Sequence, residues 1–154
     1  MISIEQIKQL REETAVSVSE CKKALESAGG DFDKAKEILK KWGREVAGKK
    51  ISRQTSQGII ESYIHPNKKV GVLLELNCES DFVAKSKDFQ NLAHEICLQV
   101  AAFSDETPLL EQPWIRDASK TVKGLIEETI AKLGENIIVK RFIRYEMSPP
   151  SGTC

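Results

Sequence analysis

The chain is predicted to adopt an α+β fold: a three-helix N-terminal bundle, a linker, and a β-β-α-α-β core whose three-stranded antiparallel sheet is packed by helices. Three observations predict it. Apolar residues before Gly43 recur at helical spacing. From Gly58 the pattern changes to runs rich in β-branched and aromatic residues, interrupted by Pro66-Asn67. After Ser86 helical spacing returns twice, and a last strand-like run follows.

The first helix is signalled by Ser3 with Gln6, a capping-box pair, and by Ile4, Ile7 and Leu10 along one face. Ser17 with Glu20 repeats the signal, and Cys21, Ala24, Leu25 and Ala28 form the second stripe before Gly29-Gly30. Asp31 is placed to cap a third helix carrying Phe32, Ala35, Ile38, Leu39 and Trp42, with Gly43 as its expected stop. Periodicity is then lost, and Arg44, Lys49, Lys50 and Arg53 face only Glu45. The expected organisation is a helical domain over 1–45, a basic, partly helical linker over 46–57, a core over 58–147 and a disordered tail over 148–154.

In the core, Ile59 to His65 and Val70 to Leu76 read as a hairpin turning at Pro66-Asn67-Lys68-Lys69. Ser86 opens an amphipathic helix with Phe89, Leu92, Ala93, Ile96, Val100 and Phe103. Asp105 to Pro108 ends it, and a Pro-containing loop runs to Asp117. Ser119 is the expected cap of a further helix with Val122, Leu125, Ile126, Ile130 and Leu133, closed by Gly134. The last strand, Ile137 to Glu146, is expected to put Ile137, Val139, Ile143 and Tyr145 on one face. Strands apolar on both faces leave one sheet surface for a second copy or another partner.

Composition narrows the function. The 154 residues carry 23 basic and 23 acidic side chains, and a zero net charge argues against a dedicated nucleic-acid binder. No apolar run reaches the roughly 20 residues of a membrane span, and the N-terminus lacks a secretory pattern. Cys21, Cys78, Cys97 and Cys154 are scattered without C-x-x-C spacing, which suits a reducing cytoplasm better than a disulfide scaffold or zinc site. His65 and His94 lack a nucleophile or acid at a telling spacing and read as surface histidines. Glu79 and Asp81 alone are a weak signal for acid–base or metal chemistry. No phosphate-binding glycine loop or nucleophile elbow is present. The expectation is a binding protein without cofactor or metal, not an enzyme.

The informative stretch is Asn77-Cys78-Glu79-Ser80-Asp81-Phe82-Val83-Ala84, between a strand and a helix. An acid beside a large aromatic there is poorly placed to fill a core and well placed to enter another protein. The bland alternative is local: Ser80 or Asp81 caps a helical turn and Phe82 staples onto the helix that follows.

Several separate segments resemble the elongation factor Ts family, in family order over nearly all of residues 2–146. They are Leu10 to Thr14, Glu20 to Leu25, Gly30 to Ala35, Ile64-His65-Pro66, Val70 to Leu73, Asn77 to Ala84, Leu110 to Pro113, Lys132 to Ile137 and Arg141 to Tyr145. The chain departs by Ser80 where the family usually has threonine, which keeps the hydroxyl. It also has Ala15-Val16-Ser17-Val18-Ser19 where the family often has a glycine-rich turn and two bulky apolar residues. Between Ala102 and Leu109 longer members carry a second subdomain and a coiled coil, so this chain resembles a short form, and short members pair as homodimers through their sheets. The resemblance implies that residues 58–147 are the family's core domain. It implies binding to the GTPase elongation factor Tu and acceleration of GDP release, with Ser80, Asp81, Phe82 and Val83 entering near the magnesium side and Val18, Ser19 and Lys23 holding a second surface. Two other classes stand beside it. The N-terminal helices are similar to ubiquitin-associated domains, which would suit an adaptor without exchange activity, and a sheet with Tyr63, Phe142 and Tyr145 would suit an RNA platform.

Overall fold

The computed structural model describes residues 1–103 and 106–148; the rest of the expected tail, from residue 149 on, and Asp105 of the expected helix end lie outside them. Three helices come first: α1 (Ile4–Thr14), α2 (Val18–Ser27) and α3 (Phe32–Lys50). Each starts where a side chain accepts a backbone N–H of the first turn, at Ser3, Ser17 and Asp31. Only Ser3 completes the reciprocal box, its own N–H bonding the Gln6 side chain at 2.9 Å. Leu10, Cys21, Ala24, Leu25, Ala35 and Leu39 bury one small core, with Ile7, Phe32, Ile38 and Trp42 packed around it.

The expected stop at Gly43 is not observed. Helix α3 continues through Gly43 and Gly48 to Lys50, so the first part of the expected linker is helical. The cause is packing. A Cβ built on Gly43 meets the Cβ of Ala131 in a later helix, and Ala47 is buried in the larger core. Packing of α3 against α6 carries the helix past this glycine, which has room for a Cβ at ordinary contact distance.

Strands β1 (Gln57–Ile64) and β2 (Val70–Cys78) form the expected hairpin. A single helical turn, α4 (Asp81–Ala84), leads to α5 (Lys87–Ala102), which Ser86 caps by accepting the Phe89 N–H. A 3-10 turn at Leu109–Glu111 precedes a small hairpin, β3 (Pro113–Trp114) with β4 (Asp117–Thr121), in place of the expected loop. Ser119 is therefore not a cap. It bonds the Asp117 carboxylate through both its N–H and its hydroxyl, and Thr121 caps α6 (Val122–Leu133). Gly134, left-handed at φ 76°, ends α6 before β5 (Ile137–Glu146).

Sheet order is β1-β2-β5, antiparallel throughout. Helix α5 lies on β1 and β2, while α6 packs against α5 and α3, so the sheet is faced chiefly by one long helix rather than two. Leu74, Leu76, Phe89, Ile96 and Val122 are fully buried between these layers. Each such side chain contributes about 1.5–3 kcal/mol of apolar burial.

One register feature corrects the sequence reading of β5. Leu76 faces Val139 but Glu75 faces Arg141, so Lys140 is an extra residue, a bulge. The faces exchange there. Ile137 and Val139 point toward the helices, but Ile143 and Tyr145 share the outer face with Leu73 and Gly71. Arg144 turns inward instead, and its guanidinium donates to the Ala101 carbonyl at the end of α5 (3.1 Å) and pairs with Glu146 (2.7 Å). The outer face consequently exposes Ile60, Ile64, Leu73, Ile138, Ile143 and Tyr145 around a Glu75–Arg141 pair.

Candidate functional site

The Asp81-Phe82 turn is built from the inside outward. Val83 and Ala84 are 6% and 1% exposed and belong to the main core. That anchors the back of the turn and drives the preceding residues to the surface. Phe82 is 86% exposed, and Asp81 is exposed beside it, paired with Lys85 at 2.8 Å. The local alternative is half realised. Ser80 does cap the turn, accepting the Val83 N–H at 3.2 Å, but Phe82 stays out in solvent instead of packing down as a staple. Val83 supports the turn from below, with little surface of its own.

A four-residue helix cannot hold a direction by its own hydrogen bonds. The direction comes from distant residues. The Glu135 carboxylate accepts the N–H groups of Glu79 (3.1 Å) and Ser80 (2.9 Å) and the Ser80 hydroxyl (2.6 Å). The Glu79 carboxylate reaches back to the Asn136 N–H (2.6 Å) and to Arg53 (3.5 Å). The Asn136 amide, itself buried, donates to the carbonyls of Ile51 and Arg53 just after α3. Beneath the turn the Cys78 thiol contacts the Ser80 carbonyl at 3.2 Å. Burial first, then the Glu135 carboxylate, pushes that thiol up to about 11, so it stays protonated and donates. Glu135, Asn136 and Arg53 are not visible as partners in local spacing, because they lie far along the chain from the turn.

The second group of expected residues sits apart, on α2. Val18 opens that helix and is 53% exposed, and Ser19 and Lys23 are exposed as well. Helix α2 packs on α1 and α3. Two accessible surfaces therefore exist, one polar-rimmed aromatic on the core and one mixed patch on the first helices. They are bridged by α3, which packs in both cores through Leu39 and Ala47.

The two carboxylates of the turn are each engaged with neighbours. Glu79 is occupied by Asn136 and Arg53, and Asp81 by Lys85. Among the described residues no group of three or more His, Cys, Asp or Glu is placed to hold a metal ion. His65 is exposed and hydrogen-bonded to the Tyr63 hydroxyl at 3.0 Å, and His94 is exposed at the edge of the same ring. What the site can do is present a rigidly held acid and aromatic to another macromolecule.

Comparison with known proteins identifies the family. The sequence profile of the family described as "Elongation factor TS" matches residues 79–152, the segment that starts at this turn. Elongation factor Ts of Coprothermobacter proteolyticus is 43% identical, over 95% of this chain and 98% of the relative. That of Thermoanaerobacter pseudethanolicus is 39% identical, over 95% of each chain. That of Rubrobacter xylanophilus is 38% identical, over 94% of this chain and 98% of the relative. The first alignment runs over 193 positions against the 154 residues here, so the relatives carry residues that have no counterpart in this chain. With whole-length identity at this level, the chain belongs to the elongation factor Ts family and has a role in translation elongation.

Proposed function

We propose that this chain binds elongation factor Tu in its GDP-bound form and accelerates GDP release by inserting the Asp81-Phe82 turn near the magnesium and phosphate site. The observation that carries this is the exposure of Phe82 on a turn whose next two residues are core. An aromatic held in water at that level is a binding anchor, since ordering it beforehand lowers the cost of docking. Asp81 supplies a charged acceptor beside it and gives up its exposed Lys85 partner at little cost.

No covalent chemistry is needed, and the chain acts as an exchange factor rather than an enzyme with a reacting centre. GDP is held by the phosphate loop and magnesium of the GTPase. A protein that prefers the nucleotide-free GTPase weakens nucleotide by the same factor that nucleotide weakens it. Phe82 displaces partner groups that support the magnesium ligands, and Val18, Ser19 and Lys23 on α2 hold the GTPase from another side. In this reading residues 1–45 are a ubiquitin-associated-like domain tied to the core by α3. The burial of Ala47 in the larger core favours this over a free-standing adaptor. The protein acts in the cytoplasm, without direct nucleic-acid or membrane contacts. It is a homodimer in which the exposed outer sheet face, from Ile60 to Tyr145, packs isologously against its copy.

The test is release of a fluorescent GDP analogue from elongation factor Tu. The parent should accelerate release catalytically, and Phe82→Ala should remove most of that acceleration. Its stability should stay within about 0.5 kcal/mol, as for an exposed side chain. Equal acceleration by the parent and Phe82→Ala would remove the turn from the mechanism.

A further inference from the structure

Three chain segments meet behind the exchange turn, and they hold each other reciprocally. From the turn between α6 and β5, Glu135 sends its carboxylate to the backbone of Glu79 and Ser80. From the turn between β2 and α4, Glu79 sends its carboxylate to the Asn136 backbone. Asn136 sends its amide to the segment after α3, and Arg53 of that segment returns to Glu79. The Ser80 hydroxyl has one proton, and it goes to Glu135; a lone pair then faces the Val83 N–H. The orientation of the cap on α4, and with it the exit direction of Phe82, is thus set by a side chain 55 residues away.

Resting on the exchange reading above, we propose that Glu135 is the positioning residue of the exchange turn. It touches no partner and acts only by aiming Asp81 and Phe82. Through Glu79 and Asn136 it also joins that aim to the end of α3, the helix shared with the N-terminal bundle. A turn clamped by charge-assisted hydrogen bonds arrives at the GTPase already in its working direction, so docking need not order it. In Glu135→Gln the amide can keep one acceptor oxygen but turns an NH₂ toward either the Ser80 hydroxyl or the two backbone N–H groups. The clasp then loosens without loss of side-chain volume.

The experiment is a double-mutant cycle read by GDP release from elongation factor Tu, using the full chain as parent, Glu135→Gln, Phe82→Ala and the double variant. Glu135→Gln should slow catalysed release about tenfold, the loss expected for one charge-assisted bond. In the Phe82→Ala background it should slow release by clearly less than tenfold, because only Asp81 is left for it to aim. A residue needed only for the fold would instead multiply its loss onto that of Phe82→Ala, and that result overturns the proposal. So does unchanged release in Glu135→Gln while the parent accelerates it. No acceleration by the parent is a separate result: it removes the exchange reading itself, and the positioning role falls with it. Should Glu135→Gln not fold, Ser80→Ala replaces it in the same cycle. That variant removes the hydroxyl leg of the clasp together with the cap on the Val83 N–H, and it is held to the same non-additivity.

Discussion

Gly43 of α3 lies against Ala131 of α6, close enough that a Cβ on Gly43 would stand 3.7 Å from the alanine's own Cβ. That distance is ordinary van der Waals contact, so an alanine fits. Glycine inside a helix costs about 1 kcal/mol relative to alanine. Gly43→Ala is expected to raise stability by about 0.5–1 kcal/mol. Gly43→Leu would force the helices apart and cost about 1–3 kcal/mol. Urea midpoints of the two variants check both signs. A destabilised alanine variant would mean that α3 and α6 approach more closely than found.

Gly58 should behave in the opposite way. It is the second paired residue of β1, at φ +156°, and a Cβ there would lie 2.2 Å from the Leu76 carbonyl oxygen and 2.8 Å from the Asn77 Cα. Both obstacles are backbone of the central strand, which cannot rotate away. Gly58→Ala is expected to cost roughly 2–4 kcal/mol, at the severe end for a single substitution. Thermal unfolding measures it, and a shift no larger than that of an exposed substitution would contradict the strand geometry.

In a third case stability rests on a polar group, Gln99. Completely buried on α5, it donates to the Gln112 side chain (3.1 Å) and the Pro113 carbonyl (3.0 Å) and accepts the Ile115 N–H (2.9 Å). It is the post on which the β3–β4 hairpin hangs. Gln99→Leu would leave the Ile115 N–H and the Gln112 oxygen without these partners, at about 1–3 kcal/mol per unsatisfied group. Amide hydrogen exchange should show faster opening at Ile115 than in the parent, with α1 to α3 unchanged. Equal protection at Ile115 would show that the hairpin does not depend on Gln99.

Much of the fold is legible because its signals are local. Ser3, Ser17, Asp31 and Ser86 all cap helices as their spacing predicts, and Gly134 ends α6. The errors arise where a residue answers to a distant partner. Gly43 looks like a stop until Ala131 is opposite it. Lys140 carries no mark of a bulge, yet it sends Ile143 and Tyr145 outward and Arg144 inward. Ser119 has the composition of a cap, but Asp117 claims its hydroxyl. At the site, the Asp81-Phe82 pair is conspicuous by its position, whereas Glu135 and Asn136 are ordinary polar residues until the fold brings them behind Ser80. Gln99 alone offered a usable hint: an amide in an apolar helix stripe, three residues after Ile96, asks for buried partners.

The cysteines give a pH prediction. Burial raises the thiol of Cys78 from 9.0 to about 11 and that of Cys97 from 9.0 to about 12. Below pH 9 the folded and unfolded chains both keep these protons, and the thiols make no difference to stability between them. Above it the unfolded chain releases them while the folded chain holds them, so the unfolded state is favoured as pH rises. Each thiol should lower stability by about 1.4 kcal/mol per pH unit through its window. Urea midpoints followed from neutral to alkaline pH should fall more steeply in the parent than in Cys97→Ala. Curves that stay parallel would mean that Cys97 does not titrate differently on unfolding. The same protonation makes Cys21, Cys78 and Cys97 slow toward a thiol-reactive chromogenic disulfide near neutral pH, since all are buried and uncharged. In a Cys154→Ser background, the native chain should react far more slowly than the chain in guanidinium, and rapid modification of Cys78 in the native chain would show that the exchange turn opens to its base.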